Sequence, residues 1–308
     1  MAAVTSVTSS LTDATRKEDG VLGLIELLSP VENYAFNTFR RTVARDMVHF
    51  WHDDTLNAVA TRAAEEGADY TYVARTTPNR RQNLVQGIVW PFRVTFEAIA
   101  IETWVGQNQL AYQTAKNMKD FANSVEYDLW RSTLVSAVDG TAAKLSGIIQ
   151  IASDGGNHTS HDSGTVLNAS HIRGLMRENY DNGNGEMATD LFVSSFSRAL
   201  IDSFITKTNV ILNASDVTKI TERVSVFETS FGTLRLITHR YMEISTDATG
   251  RLMALRPEKF AIAYLESPFI QENLSVAGGY VPRALRTSLT LECSNKLVNW
   301  FADGFDKD

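Results

Sequence analysis

The chain has 308 residues, a net charge of −7 and an isoelectric point near 5.4, and this acidic balance argues against a nucleic-acid-binding domain, which would carry a basic surface. With 44% hydrophobic and 21% charged residues the composition is that of a folded chain, and the single cysteine, Cys293, excludes an intramolecular disulfide framework or a multi-cysteine metal site. No stretch approaches the roughly 18 apolar residues that span a bilayer, and the first residues lack the basic start and apolar run of a secretory signal, so a cytosolic product is expected.

Residues 1–13 are rich in Ser, Thr and Ala without periodicity and read as a mobile arm. Residues 21–28 form a short apolar segment, stopped at Ser29-Pro30 because proline disfavours helix at the residue before it. An alanine-rich piece over 57–67 has helical character and ends at Gly67. Residues 71–86 are polar, carry Arg75, Arg80 and Arg81 around Pro78, and offer almost nothing to bury. A long polar excursion between structured flanks is a functional loop or a disordered one.

Phe92, Val94 and Phe96 alternate with Arg93, Thr95 and Glu97, the period of a half-buried strand. Residues 107–138 carry the clearest helical signal. Leu110, Ala111, Ala115, Met118, Ala122, Val125 and Leu129 recur at spacings of three and four, predicting an amphipathic helix of about 30 residues. Gly-, Ser-, His- and Asn-rich residues 153–170 read as a loop, and 194–212 as a second helix. Segments 224–228 and 233–238 flank Ser230-Phe231-Gly232 as paired strands, and 252–255 with 260–265 flank Arg256-Pro257-Glu258-Lys259 in the same manner. Leu285, Thr287, Leu289, Leu291 and Cys293 alternate with polar neighbours as a further strand.

A search for chemistry finds little. There is no phosphate-binding glycine motif; Gly183 and Gly185 flank a turn and lack a preceding strand. His158, His161 and Asp162 lie close in sequence, but in a glycine-bounded loop with no frame to fix metal ligands, so a solvated loop is the reading and no metal site is assigned. His49 and His52 beside Trp51 are explained by packing. No serine sits in a nucleophile elbow, and Cys293 falls on the apolar face of its strand as a core thiol. Arg75, Arg80 and Arg81 remain: alone a solvated basic loop, with a partner a docking arm.

These residues describe a soluble, mixed α/β protein with one long helix and one long polar loop. The order of its pieces resembles the major capsid proteins of the Hong Kong 97 fold, and within them the SU10-like major head protein family of tailed phages, from about Leu22 to Phe301. The resemblance is carried by Leu27-Leu28-Ser29-Pro30-Val31-Glu32, by Trp51-His52-Asp53-Asp54-Thr55-Leu56, and by Ala111-Tyr112-Gln113-Thr114-Ala115-Lys116 with Val125-Glu126-Tyr127-Asp128-Leu129. Phe231-Gly232-Thr233-Leu234 and segments 252–265 and 289–295 complete it. Asn33-Tyr34 departs from the threonine-proline expected there, and 275–279 lacks the lysine expected after Leu274.

The resemblance implies an α+β architecture: an N-terminal arm with its following segment (1–48), a segment holding an extended loop (49–90), a peripheral domain with a spine helix (91–146), an axial domain (147–265) and return strands (266–308). It implies a non-enzymatic, cofactor-free shell subunit, made in the bacterial cytoplasm and ending in the virion, that self-assembles into hexamers and pentamers of an icosahedral capsid. Portal, scaffolding and decoration proteins and enclosed double-stranded DNA are the implied partners, without membrane contact. Arg75, Arg80 and Arg81 become subunit-interface residues, meeting carboxylates on a neighbour. Two other readings stand beside it: an encapsulin-like nanocompartment subunit, and a cytosolic metal-dependent enzyme using His158, His161 and Asp162.

Overall fold

Two β-sheets meet around one long helix. The computed structural model describes residues 7–8, 33–100 and 109–306, apart from 58, 68, 70–71, 139, 155–157, 183–185, 207–225, 244–248, 273 and 276–277. The apolar segment 21–28, most of the N-terminal arm, the turn glycines Gly183 and Gly185 and the expected helical tail beyond 206 lie outside these residues.

The first sheet has five strands in the order β1 (Val7–Thr8), β5 (Gln86–Thr95), β12 (Tyr280–Cys293), β11 (Phe260–Gln271) and β2 (Arg40–Val43). Alternation in β5 sends Gln86, Ile88 and Val94 inward and leaves Gly87, Val89 and Pro91 exposed. The expected strand thus begins six residues before Phe92, and Phe96 starts the short helix α2 (Phe96–Ala100). The strand expected over 285–293 is β12, which pairs on both sides.

Helix α3 (Gln109–Arg131) lies on this sheet, 23 residues and about 34 Å long. It is shorter than expected. At Ser132 the chain turns away, and Val135 and Lys144 form an isolated bridge. Leu134 and Val138, at helical spacing in the sequence, are exposed. Gly147 explains why the helix stops. Its N–H donates to Ser132 O at 2.8 Å, and a side chain there would collide with the backbone of Trp130 and Ser132. The buried stripe also differs. Phe121, Val125, Leu129 and Trp130 pack inward, whereas Ala111, Ala115 and Met118 of the expected face are exposed.

The second sheet runs β6 (His158–Thr165), β13 (Trp300–Phe305), β10 (Gly250–Leu255), β7 (Asp190–Val193), β9 (Gly232–Thr238) and β8 (Val226–Thr229). Helices α5 (Ala169–Asn182) and α6 (Ser195–Thr206) serve its core, built on Ile172, Leu175, Met176, Leu191, Leu252 and Trp300. The strand pair around Ser230-Phe231 is as expected, with Thr229 opposite Gly232. Residues 252–255 and 260–265, by contrast, do not pair with each other. A 3-10 turn over Pro257–Lys259 carries the chain from one sheet into the other, so β10 pairs with β7 and β13 while β11 pairs with β12 and β2. The expected boundary at 265/266 therefore falls inside β11, and β13 returns to the second sheet.

One apolar cluster joins the layers: Phe121, Val125, Leu129 and Trp130 of α3, Ile148 and Ala152 of α4 (Ile148–Ser153), Phe260, Ile262, Leu285 and Leu289 of the first sheet, and Phe192, Met253 and Phe301 of the second. Helix α1 (Tyr34–Thr38) sits on this junction through Ala35.

Candidate intersubunit surface

Strands β3 (Val48–Asp53) and β4 (Asn79–Leu84) form a separate two-stranded antiparallel ribbon, with Val48 opposite Leu84 and Asp53 opposite Asn79. Its root is fixed to the first sheet. Trp51 Nε1 donates to Cys293 O at 2.9 Å, and His49 Nε2 lies 3.1 Å from Glu292 Oε2. The buried Asn83 amide donates to Leu291 O (2.8 Å) and Ser146 O (3.1 Å), while its oxygen accepts Ser146 N–H at 2.8 Å. Ala44, Val85 and Ala263 close a small apolar cluster beneath.

Away from the root the ribbon supports itself. Asp53 accepts from Arg81 Nε at 2.9 Å, and the Arg80 guanidinium lies over the Phe50 ring, 3.6 Å from its centroid. The two limbs stay joined further out, where Thr76 Oγ1 donates to Thr55 O at 2.6 Å and Asn57 Nδ2 to Ala74 O at 2.9 Å. The alanine-rich piece expected to be helical is not: residues 59–67 run without helix and turn at Glu66-Gly67, where Gly67 takes a φ of 81°. Alanine propensity loses here because, among the described residues, no face covers one side of 59–67, and short isolated helices are marginal in water. Leu56 and Tyr72 are 97% and 92% exposed. A rigid base with an uncovered, partly apolar finger has the anatomy of a contact element.

The three arginines of the loop thus have different situations. Arg81 is committed to Asp53 and Arg80 to Phe50, both across the ribbon, while Arg75 is exposed and makes no hydrogen bond or ion pair among the described residues.

The histidine segment is not a loop. Residues 158–165 form edge strand β6, paired in parallel with β13. Strand alternation sends His158 and His161 to opposite faces. His158 Nε2 lies 3.1 Å from Asp303 Oδ1, while the His161 ring rests 4.8 Å from His171 and 4.5 Å from Phe305. Asp162 is exposed. No group of three or more His, Cys, Asp or Glu side chains that could hold a metal ion occurs among the described residues. Cys293 is buried, its sulfur accepts from Asn299 Nδ2 at 3.3 Å, and burial pushes the thiol up to about 12. Such a thiol is a core group.

The polar residues that organise the molecule went unread in the sequence. Gln86, inside β5, donates to Asp128 Oδ2 at 2.8 Å and accepts from Leu145 N–H and Ser132 Oγ, tying the sheet to the end of α3. Burial raises the Asp128 carboxyl above its ordinary range, against the opposing pull of Lys144 and Gln86. Asp190, also buried, accepts from Tyr34 Oη at 2.7 Å and from Arg235 at 2.8 and 2.9 Å. Burial, followed by this carboxylate, drives the Tyr34 hydroxyl well above the usual phenol range. A buried polar residue in a strand or helix gives no local sign of partners this distant.

Comparison with known proteins identifies the fold and the family. The capsid of Myoviridae phage XM1 matches with a TM-score of 0.64 at 9% identity, over 93% of this chain and 97% of that one. A chain of Microbacterium phage Oxtober96 matches with 0.63 at 12% identity, over 97% and 99%. The SrpI encapsulin of Synechococcus elongatus PCC 7942, in its holo complex, matches with 0.64 at 9% identity, over 96% and 95%. The fold is the Hong Kong 97-type capsid fold. No curated protein matches the sequence. The profile of the family described as SU10 major capsid protein matches residues 5–300, nearly the whole chain, and the protein accordingly belongs to the SU10 major capsid protein family as a shell-forming subunit of the phage capsid.

Proposed function

We propose that the protein forms the hexamers and pentamers of an icosahedral head around double-stranded DNA, acting only through assembly and catalysing nothing. In this reading the five-stranded sheet with α3 is the peripheral unit, the six-stranded sheet with α5 and α6 the axial unit, and the β3–β4 finger the arm that reaches a neighbouring copy. The observation that carries it is the finger itself: Leu56 and Tyr72 stand almost fully exposed at the end of a ribbon whose root is hydrogen-bonded into the core. Modest contacts of this kind, repeated by closed symmetry, add up to a stable shell. The acidic net charge suits a wall that must not bind its contents.

A portal, a scaffolding protein and decoration proteins are the partners this role calls for, and the host cytoplasm is where the subunit would be made. Electron micrographs of the expressed protein, with its scaffold supplied, test the reading. Closed shells or tubes are expected, and a strictly monomeric protein at high concentration would sink it. The likeness to the SrpI encapsulin favours a second reading, a compartment that holds protein cargo. Nuclease-protected DNA in particles from infected cells supports the first reading; a co-purifying enzyme without DNA supports the second.

A further inference from the structure

We infer that the apex of the finger docks on the open edge of β2 in a neighbouring copy, through charge pairing between Glu65, Glu66 and Asp69 on one side and Arg40, Arg41 and Arg45 on the other. This rests on the finger being an intersubunit arm and names the surface that receives it.

The sequence suggests a basic arm, but the folded arm is acidic. Arg80 and Arg81 lie within the ribbon, one over Phe50 and one on Asp53. The loop beyond the ribbon, residues 54–78, holds four carboxylates (Asp54, Glu65, Glu66, Asp69) against two arginines (Arg62, Arg75). Glu65, Glu66 and Asp69 cluster about the turn at Gly67, all exposed.

The opposite charge lies at one edge of the five-stranded sheet. Strand β2 is last in the order, paired in parallel with β11 on one side, and among the described residues no strand covers its other side. Arg40 and Arg41 on it and Arg45 two residues past its end are exposed and make no ion pair among the described residues; the Arg41 guanidinium lies 5.7 Å from the Phe36 ring. The nearest carboxylate in sequence, Asp46, is turned onto the Met47 N–H at 2.6 Å. Val43 and Met47, 74% and 53% exposed, add apolar surface for the apex to cover. A sheet edge with three cations that make no ion pair among the described residues, in a chain of net charge −7, is a complement to an acidic finger.

The contact is assigned between copies because, among the described residues, neither the apex carboxylates nor these arginines make an ion pair within their own chain. The paired ribbon is about 20 Å long, and its limbs remain joined past it at Thr55/Thr76 and Asn57/Ala74, which sets the apex well beyond the root that Trp51 and Asn83 fix to the first sheet.

Charge reversal and its compensation test the pairing. Glu65→Lys/Glu66→Lys/Asp69→Lys should reduce particle yield at low salt by about tenfold or more, and so should Arg40→Glu/Arg45→Glu, a change that leaves Arg41 on Phe36. All these positions are exposed, so the melting of the free subunit should not change. Combining the two sets in one chain should restore most of the yield, and a Glu66→Cys, Arg40→Cys chain should give disulfide-linked subunits in particles. Arginines that merely keep a sheet edge from pairing would show no such rescue. If shortening 58–74 to a tight turn abolishes assembly but the combined variant is not rescued, this pairing is wrong while the arm stands. If the shortened chain assembles normally, the arm itself is wrong.

Discussion

Glu126 accepts the indole N–H of Trp130, one turn further along α3, at 2.7 Å, and neither side chain reaches solvent. The same carboxylate accepts the backbone N–H groups of Ala35 (2.8 Å) and Phe36 (2.9 Å) at the start of α1, and His239 Nε2 stands 3.3 Å away without hydrogen-bond alignment. The His239 ring stacks on Trp130 at 4.3 Å. One side chain of α3 thus holds the segment that follows the N-terminal arm and faces the end of β9.

Glu126→Ala would leave two buried donors, Trp130 Nε1 and Ala35 N–H, and the half-buried Phe36 N–H without an acceptor, each buried one at a cost of about 1–3 kcal/mol. We expect the subunit to lose roughly 3 kcal/mol or more in urea denaturation, with a red shift of Trp130 emission as water enters. An unchanged midpoint would show that the donors find other acceptors.

The two faces of α3 give a paired prediction. Val125 is fully buried in the central cluster, whereas Met118, on the same expected stripe, is 50% exposed. Val125→Asp should cost several kcal/mol through desolvation of the carboxylate or its forced protonation, roughly enough to unfold the subunit. Met118→Asp should stay within about 0.5 kcal/mol in the free subunit. Equal effects in thermal melts would mean that the burial assigned to this helix is wrong.

What could be read in advance divides along the same line. Alternation over 285–293 and the Phe231-Gly232 turn are local signals, and both elements are where they were expected. Helix α5 was also legible and was missed. Asn168 Oδ1 accepts Ser170 N–H at 2.9 Å in the manner of an N-cap, and Ile172, Leu175, Met176 and Asn179 follow at spacings of three and four. Strand β6 was not legible, because residues 158–165 have no apolar alternation and become a strand only by pairing with β13, about 140 residues on. The overrun of α3 past Arg131 has a similar cause. Leu134 and Val138 keep helical spacing, and only the crossing of Gly147 behind Ser132 shows why the helix ends. The acidic character of the finger was hidden too, since Arg80 and Arg81 look available until Phe50 and Asp53 are placed beside them.

Asp128 supplies a pH prediction. Burial raises its folded-state carboxyl above the ordinary range, so the folded subunit binds a proton more readily than the unfolded chain. Its contribution to stability therefore grows as pH falls through the raised value, and is lost as pH rises through it. Asp128→Asn keeps an oxygen for Gln86 Nε2 and removes the charge. This variant should be at least as stable as the parent at neutral pH and should lack this part of the pH dependence. A marked loss at neutral pH would mean that the ionised form is required, contrary to what burial dictates at this site.

Gly304 in β13 passes close to the His161 backbone of β6. Its φ is +88°, and a side chain there would run into the His161 carbonyl. Gly304→Ala meets both a backbone conformation that L-residues avoid and a backbone neighbour that cannot step aside. The expected loss exceeds about 1 kcal/mol, with faster amide exchange over 158–165 than in the rest of the sheet. Uniform exchange across the sheet would mean that β6 does not depend on this close passage.

The finger can be tested by proteolysis without any assumption about its partner surface. Arg62 and Arg75 lie in the exposed loop, whereas Arg80 and Arg81 sit in β4, paired across the ribbon with His52 and Trp51. Trypsin needs an extended, accessible backbone, so in the free subunit it should cut after Arg62 and Arg75 well before Arg80 or Arg81. Assembly should slow cleavage at the first two sites if the finger lies on a neighbour, because docking removes the backbone from the protease. Arg81→Glu would set a carboxylate against Asp53 and open the ribbon, shifting the cuts toward residue 80 and weakening assembly. Equal trypsin rates at Arg62 and Arg75 in subunit and particle would leave the finger exposed in the shell, and the arm would have no neighbour.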